Sequence, residues 1–269
     1  MKIREIKTKS IITKSNLPDA DLVINPYIGC EYACKYCYAD FMRRFSGHGS
    51  EDWGSFIDVK INAPDTINPK KIKKDSLILV GSVTDPYQPL EKKYQLTKRC
   101  LEILLESQPR IEILTKSALI LRDISLLQRF KNLRVGISIG ILDERLSKQL
   151  EPRAALPRKR LNVLKKLHDS GISTYLFISP IFPEISDIKN LIKLSKEYVE
   201  EIYFENLNIR QNNKERILEF IDSNRPELRN LYESLLKNNF YWNRLEIDLK
   251  QQCKQEGIKC KFYFHHSKK

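Results

Sequence analysis

The chain has 269 residues, and its 47 lysines and arginines against 34 aspartates and glutamates give a formal charge of +13. No apolar run of about 18 residues or more is present, which argues against a membrane-spanning helix. Six cysteines are too sparse in this length for a disulfide scaffold. The first seven residues alternate charged and apolar side chains and lack the apolar run of a signal peptide. We therefore expect a cytoplasmic protein without a membrane partner.

Short apolar runs alternate with longer amphipathic stretches along most of the chain. Strands are predicted at residues 21–28, 76–83, 110–115, 133–139, 173–179 and 201–207, and helices at residues 95–106, 120–130, 157–169 and 188–199. Such alternation is typical of βαβ units around a parallel sheet. It predicts an α/β fold, a partial (β/α)6 TIM-like barrel, whose ligands bind at the carboxyl ends of the strands.

The two ends of the chain lie outside this repeat. Residues 1–20 are predicted to be an N-terminal extension, and residues 21–208 the barrel core. Residues 209–269 are predicted to be a mostly helical C-terminal extension that caps the open side of the barrel. Its helices are expected at residues 214–223, 226–237 and 244–256, followed by a strand at residues 259–264. No glycine- and serine-rich linker divides the chain.

Three clustered cysteines, Cys30, Cys34 and Cys37, follow the first predicted strand with the spacing C-x3-C-x2-C. An aromatic residue, Tyr36, immediately precedes the last cysteine. Three thiolates can hold three corners of a cubane iron–sulfur cluster and leave its fourth iron open to a ligand that is not protein.

A structural zinc site is the alternative for these cysteines. Zinc in such sites usually has four protein ligands, often from paired C-x2-C units, and only one such pair is present. His48 is a candidate fourth ligand. Inert buried cysteines are disfavoured, because the charged residues Glu31, Lys35 and Asp40 make this a polar loop.

The cysteine spacing, with its aromatic residue after a strand, resembles the cluster loop of the radical S-adenosylmethionine superfamily. Further segments are similar to the branch related to spore photoproduct lyase, at residues 25–30, 37–39, 81–91, 114–117 and 151–152. The resemblance extends over roughly residues 20–210. It implies a [4Fe-4S] cluster whose fourth iron is chelated by S-adenosylmethionine, and a ferredoxin- or flavodoxin-type one-electron reductant. It also implies a 5′-deoxyadenosyl radical that abstracts hydrogen from a substrate.

The resemblance also implies roles for individual residues. The three cysteines would ligate iron, Tyr36 would lie against the adenine, and Lys116 would meet the methionine carboxylate. Ser138 would bond the ribose, and the methionine amino group would meet a loop containing Ser82, Thr84 and Asp85. Each has a structural alternative: Asp85 before a proline suits a turn, Lys116 suits a solvated strand end, and the hydroxyls suit ordinary strand ends. No catalytic residue is assigned.

One departure from spore photoproduct lyases concerns the return of a hydrogen atom to the product radical. Those enzymes carry a cysteine for this step, whereas residues 82–84 here read Ser-Val-Thr. A hydroxyl O–H bond is too strong for a good hydrogen-atom donor. The same DNA repair route is therefore not expected, and Cys260 or a tyrosine would have to be the donor.

Other polar residues leave alternatives open. Cys253, Cys260, His265 and His266 could form a second metal site, fold one side chain back over the barrel mouth, or simply pack. Glu151, with Arg153, Arg158 and Arg160, could contact an anion or form a solvated helix entry. Glu205 and Asn206 could face the cavity or solvent. His168 is expected to have no special role.

The sequence thus favours a radical enzyme and a monomer. Nucleic acid or a nucleotide is the favoured substrate, because the charge of +13 attracts polyanions; a lysine-rich proteome would explain the charge equally well. One alternative is a non-enzymatic metal-binding module that recognises nucleic acid through its basic surface. Another is a radical enzyme that acts on a peptide or protein side chain.

Overall fold

The computed structural model describes residues 1–265. The strands are β1 (Lys2–Ile6), β2 (Ile12–Lys14), β3 (Leu22–Ile24), β4 (Tyr27–Ile28), β5 (Phe56–Lys60), β6 (Leu77–Val80), β7 (Arg110–Thr115), β8 (Leu133–Ser138), β9 (Ser173–Ile181), β10 (Glu201–Asn206) and β11 (Lys259–Tyr263). The α-helices are α1 (Glu91–Tyr94), α2 (Leu96–Leu104), α3 (Ile124–Leu127), α4 (Glu144–Leu150), α5 (Pro157–Asp169), α6 (Ile188–Ser195), α7 (Lys214–Asn224), α8 (Arg229–Ser234) and α9 (Phe240–Gln255). None of the helices within residues 1–265 is long and apolar enough to cross a membrane.

The larger sheet has the strand order β11-β10-β9-β8-β7-β6-β3-β2. All neighbours are parallel except β2, which runs antiparallel to β3 at one edge. The edge strands β2 and β11 do not pair, so the predicted partial barrel is confirmed and stays open. Across the gap, the hydroxyl of Tyr263 donates to Asp19 at 2.5 Å.

Side chains alternate along these strands between the helices and the barrel interior. On β7, Ile111 and Ile113 are buried in the main core, whereas Glu112, Leu114 and Lys116 line the interior cavity. The predicted helix at residues 157–169 is α5, whose Val163, Leu164 and Leu167 pack in the same core. This alternation delivers every second strand residue to the cavity.

Two features differ from the sequence prediction. The strand predicted at residues 21–28 is divided into β3 and β4, because Pro26 offers no backbone N–H and restricts the residue before it. The second half then pairs with β5, a strand that the prediction missed, in a small sheet of order β1-β5-β4. The strand predicted at residues 259–264 is present as β11 and adds a seventh parallel strand beside β10. The domain boundaries at residues 20 and 208 stay a prediction.

Candidate active site

A cavity of about 430 Å³ occupies the interior of the partial barrel. Its wall contains all nine residues that the sequence analysis named as cluster or cofactor ligands: Cys30, Cys34, Cys37, Tyr36, Ser82, Thr84, Asp85, Lys116 and Ser138. They come from the cysteine loop and from the carboxyl ends of β6, β7 and β8. Their individual roles stay predictions, but segments more than 100 residues apart in sequence meet around one space.

The cysteine loop lies against β5 at a distance that only glycine allows. Gly29 has a φ of +91°, and a Cβ placed there would lie 2.5 Å from the carbonyl oxygen of Phe56. The loop then turns twice, with hydrogen bonds from Ala33 N to Cys30 O at 3.3 Å and from Cys37 N to Cys34 O at 3.1 Å. These contacts hold the three cysteines in the cavity wall.

The three thiols are sheltered from solvent, and burial raises the pKa of each. The pKa of Cys37 rises to about 11, and the pKa values of Cys30 and Cys34 are also raised well above the ordinary thiol value. The Lys116 ammonium partly opposes the shift at Cys34 and Cys37. A buried thiolate therefore needs a positive partner, and iron is one that thiolates bind well.

The donor set fits an iron–sulfur cluster better than a zinc ion. Among residues 1–265, no group of three His, Cys, Asp or Glu side chains is arranged to hold a single metal ion. A cubane spreads its ligands over separate irons, so its cysteines need not converge on one point. The candidate fourth zinc ligand, His48, is engaged elsewhere: its ring nitrogens lie 3.0 Å from Asp58 and 3.1 Å from Glu51.

Thr84 and Gln88 tie the loop after β6 to the cysteine loop. The Thr84 hydroxyl donates to the carbonyl of Gly29 at 2.6 Å and accepts from the Gln88 amide at 3.1 Å. The Gln88 carbonyl in turn accepts from the backbone N–H of Glu31 at 2.9 Å. Thr84 therefore positions the cysteine loop, whatever it does for a bound cofactor.

Asp85 is held by three protein donors. Its carboxylate accepts from the Thr115 hydroxyl at 2.6 Å, from the backbone N–H of Lys116 at 2.8 Å and from that of Tyr87 at 2.9 Å. Burial raises the pKa of Asp85, and these hydrogen bonds oppose the rise. The Asp85 carboxylate therefore joins the loop after β6 to the end of β7, which is a structural role. Its contact with a methionine amino group stays a prediction.

Lys116 and Ser138 meet at the ends of β7 and β8. The Lys116 Nζ donates to the Ser138 hydroxyl at 2.6 Å and lies 3.8 Å from the carboxylate of Glu151. It also lies 5.9 Å from the ring centroid of Tyr36. Lys116 is the only lysine or arginine in the part of the cavity wall that the structure describes. This single positive charge suits an anionic group, as the predicted contact with a carboxylate requires.

Glu151 and Arg160 form a buried ion pair behind Tyr36. Arg160 is only 1% exposed and donates to one Glu151 oxygen, while the Tyr36 hydroxyl donates to the other. Burial alone would raise the pKa of Glu151, yet the pKa is lowered because Arg160 and Lys116 oppose that effect. The alternative that Glu151 and Arg160 form a solvated helix entry is therefore wrong, because both side chains are buried.

The two other arginines of this segment are not in the cavity wall. Arg153 donates to the carbonyl of Gly54 at 2.8 Å, and Arg158 is exposed. From the far side, α7 supports the cysteine loop: Arg216 donates to the carbonyl of Lys35 at 3.0 Å and pairs with Asp40 at 2.7 Å.

The family model of the Radical SAM superfamily matches residues 24–195. The chain belongs to the radical SAM superfamily. It is 40% identical over 227 residues to an uncharacterized protein of Methanocaldococcus jannaschii, a match that covers 84% of this chain and 85% of that relative. Membership makes the protein an enzyme and implies an iron–sulfur cluster and S-adenosylmethionine. Nothing in the comparisons supports the non-enzymatic alternative.

Two further comparisons give one sequence relative and one structural neighbour. A radical SAM Nalpha-GlyT isomerase of Pseudomonas phage M6 is 25% identical over 179 residues, 64% of this chain and 36% of the isomerase. Spore photoproduct lyase complexed with dinucleoside spore photoproduct superimposes with a TM-score of 0.62 at 17% identity, covering 83% of this chain and 66% of the lyase. A mutant of the lyase holds bound AdoMet. At this identity the likeness to the lyase shows the fold alone.

The far strands of this superfamily barrel complete the rim of the cavity. Glu205 and Asn206 line it, as one of the two alternatives predicted. Glu205 accepts from the Ser179 hydroxyl and lies 3.1 Å from the His265 ring, and the backbone N–H of His265 donates to Asn206 at 2.9 Å. His265 therefore folds back over the cavity, as one prediction for the C-terminal residues allowed.

The two C-terminal cysteines lie elsewhere. Cys253 of α9 is buried and interacts with Cys260 of β11, and neither lines the cavity. Within residues 1–265 no third ligand joins them in a metal site. His266 lies outside the described residues.

Several cavity residues escaped the sequence analysis. Glu112, Tyr175, Tyr203 and Ser179 lie in the wall, on strands that were predicted correctly. The signal was present in the alternation of side chains, since Glu112 and Lys116 are an even number of residues apart on one strand. What the sequence lacked was the knowledge of which face pointed inward.

Proposed function

We propose that this enzyme holds a [4Fe-4S] cluster on Cys30, Cys34 and Cys37 and uses it to cleave S-adenosylmethionine. The resulting 5′-deoxyadenosyl radical removes a hydrogen atom from a substrate in the same cavity. The observation that carries the proposal is the meeting of three sheltered thiols and the Lys116 ammonium in the wall of one interior space.

When bound, the cofactors supply the radical chemistry: one electron from the reduced cluster breaks the sulfonium bond to the 5′ carbon. The chain supplies position and charge. Lys116 offers an ammonium to the methionine carboxylate, with charge assistance on both sides of the hydrogen bond. Ser138, to which Lys116 donates at 2.6 Å, is the group proposed to contact the ribose.

Tyr36 is proposed to lie against the adenine. The bond from its hydroxyl to Glu151, which is itself paired with Arg160, supports a fixed orientation for its ring. Such second contacts hold a binding group in its productive geometry. The apolar side chains of Leu79, Leu114 and Phe177 in the same wall favour the exclusion of water from a reactive radical.

A hydrogen donor for the product, where the reaction requires one, would be a tyrosine. The cavity wall described within residues 1–265 contains no cysteine besides the three proposed ligands. Cys260, one of the two donors considered from the sequence, contacts Cys253 outside that wall. Tyr38, Tyr175, Tyr203 and Tyr263 do line the cavity.

The finer parts of the proposal concern the partners. The charge of +13 supports nucleic acid or a nucleotide as substrate, and a ferredoxin- or flavodoxin-type protein as the acidic one-electron donor. Deuterium transfer tests the substrate: label carried by the true substrate should enter 5′-deoxyadenosine, and label in an unreactive molecule should not.

Anaerobic reconstitution with iron and sulfide tests the core of the proposal. We expect brown protein with about four irons per chain, and 5′-deoxyadenosine after addition of dithionite and S-adenosylmethionine. The matched variants are Cys34→Ser, which should lose both, and Cys260→Ser, which should keep both. Colourless zinc-loaded protein that yields no 5′-deoxyadenosine would refute the proposal.

A further inference from the structure

A group of mostly aromatic residues forms a distinct part of the cavity wall, which we call the floor. We define the floor as six residues of that wall: Asp19, Glu112, Tyr175, Phe177, Tyr203 and Tyr263. Glu112, Tyr175 and Tyr203 are each the third residue of their strands, β7, β9 and β10. These three residues therefore lie deeper in the barrel than Lys116 and Ser138, which stand at strand ends. Phe177 is level with Ser138, Tyr263 ends β11, and Asp19 is exposed at the edge of the floor.

Aromatic rings make up most of the floor. The ring centroids of Tyr175 and Tyr203 are 4.4 Å apart, those of Tyr203 and Tyr263 5.5 Å, and those of Phe177 and Tyr263 6.0 Å. Gly136 makes room for them, because a Cβ there would lie 2.1 Å from the ring of Tyr175. The floor is thus a packed, mostly apolar surface with few polar groups.

Both charged groups in the floor are carboxylates. One oxygen of Glu112 accepts from the Tyr175 hydroxyl at 2.8 Å, and its other oxygen accepts no hydrogen bond within residues 1–265. Asp19 accepts from the Tyr263 hydroxyl. A phosphate or carboxylate brought here would meet like charge, with no lysine or arginine among the six floor residues, and this repulsion disfavours its binding.

Nearby cations lie behind the aromatic rings. The Arg134 guanidinium lies 5.3 Å from the centroid of Tyr175 and is paired with Glu201 at 2.8 Å. Lys261 lies 5.1 Å from the centroid of Tyr203. Neither lines the cavity. Arg134 lies opposite Glu112 in the β7–β8 register, and its guanidinium interacts electrostatically with Glu112 as well as with Glu201. Neither cation donates a hydrogen bond to Glu112, so its second oxygen stays available to an incoming group.

From this arrangement we propose that the floor binds an ammonium group of the substrate, with Glu112 as its main acceptor. Three N–H donors of an ammonium suit the free oxygen of Glu112, and aromatic rings beside it favour a cation further. The inference rests on the proposed radical chemistry, and it names a cationic substrate group in place of the nucleic acid or nucleotide that the net charge favours. The protein surface and the floor then prefer opposite charges: the net charge of the surface attracts anions, whereas the floor selects a cation.

Three nearly isosteric probes test the floor on the reconstituted holoenzyme: 2-phenylethylamine, 2-phenylethanol and phenylacetate, with binding followed by saturation-transfer NMR under anaerobic conditions. The amine should bind at least about tenfold more tightly than the other two, the size of one charge-assisted hydrogen bond. Equal or better binding of the alcohol or the acid, or no binding of the amine, would overturn the proposal.

Two variants locate the effect. Glu112→Gln should remove the preference for the amine, and Glu106→Gln, at an exposed position, should keep it. Glu112→Asp, which retains the charge, should keep part of it, so a general loss of folding is told apart from loss of the acceptor. An unchanged preference in folded Glu112→Gln would overturn the proposal.

The same samples separate this inference from the proposed function. Production of 5′-deoxyadenosine without any preference for the amine would overturn the floor proposal alone. A preference for the amine, abolished in Glu112→Gln, without 5′-deoxyadenosine in cluster-loaded protein would overturn the proposed radical chemistry and leave the floor in place.

Discussion

The upper end of the cavity and its floor are built from the same strands, yet they differ in charge and in the way their residues are held. At the upper end, Lys116 offers a positive charge beside three sheltered thiols. Four residues earlier on the same strand, Glu112 offers a negative charge among aromatic rings. A barrel strand can therefore present opposite chemistry to two ligands, because every second residue faces the same space.

The comparison predicts that the two ends can be disabled separately, and this is the largest effect expected. Cys34→Ser should reduce 5′-deoxyadenosine formation to background, because it removes one of the three proposed ligands of the cluster. It should leave the preference for 2-phenylethylamine unchanged, whereas Glu112→Gln should leave iron content unchanged. Chromatography measures the 5′-deoxyadenosine formed, iron analysis measures the iron content, and saturation-transfer NMR measures the preference for the amine. Loss of both properties in either variant would show that the two ends are not independent.

The second prediction concerns the ion pair behind Tyr36. Arg160→Met should lower the free energy of unfolding by about 3–5 kcal/mol, since it leaves the Glu151 carboxylate buried without its partner. Arg158→Met, two residues away and exposed, should change it by less than about 0.5 kcal/mol. Urea unfolding followed by circular dichroism measures both. A similar small effect in the two variants would contradict the assigned role of the pair.

The third prediction tests the contact between the cysteine loop and β5. Gly29→Ala should lower the free energy of unfolding by about 1–3 kcal/mol because of the positive φ at this position. A further loss is expected because the new Cβ would lie 2.5 Å from the Phe56 carbonyl oxygen. Gly47→Ala is the matched control, because Gly47 also has a positive φ but no atom within 4 Å of a Cβ there. We expect a lower melting temperature and poorer iron retention in Gly29→Ala. Equal behaviour of the two variants would rule out the close contact.

The smallest effect is a dependence of stability on pH. The pKa of Glu151 is lowered in the folded protein, so its stabilising contribution is complete above its ordinary pKa of 4.5 and is lost as pH falls through the lower folded value. Arg160→Met removes the main group that opposes the effect of burial on the pKa of Glu151. The free energy of unfolding of this variant should therefore lose the pH-dependent contribution of Glu151. Unfolding curves between about pH 3 and 6 compare the two proteins. Parallel pH profiles would contradict the shift.

Sequence reasoning located the upper end better than the floor, for a physical reason. Cys30, Cys34 and Cys37 lie within eight residues, so their chemistry is visible before any folding is known. Lys116 and Ser138 were identified through the family resemblance, and both lie where a predicted strand ends. Glu112, Tyr175 and Tyr203 sit inside strands, where a carboxylate or a tyrosine can face solvent as readily as a cavity.

The structure also changed the meaning of residues that the sequence had identified. Asp85 was selected as a ligand, but three protein donors already occupy its carboxylate. Glu151 and Arg160 were considered, with two other arginines, as an anion contact or a solvated helix entry, and only the fold shows them buried together. Pairings between side chains far apart in sequence depend on tertiary structure, so a single sequence could not supply them.

The most direct test of the central claim is electron–nuclear double resonance on the reduced protein with isotopically labelled S-adenosylmethionine. A cluster held by three cysteines should show hyperfine coupling to ¹⁷O in the methionine carboxylate and to ¹⁵N in its amino group, and the coupling should disappear with the cluster in Cys34→Ser. An intact reduced cluster that shows no coupling to either label would contradict the account.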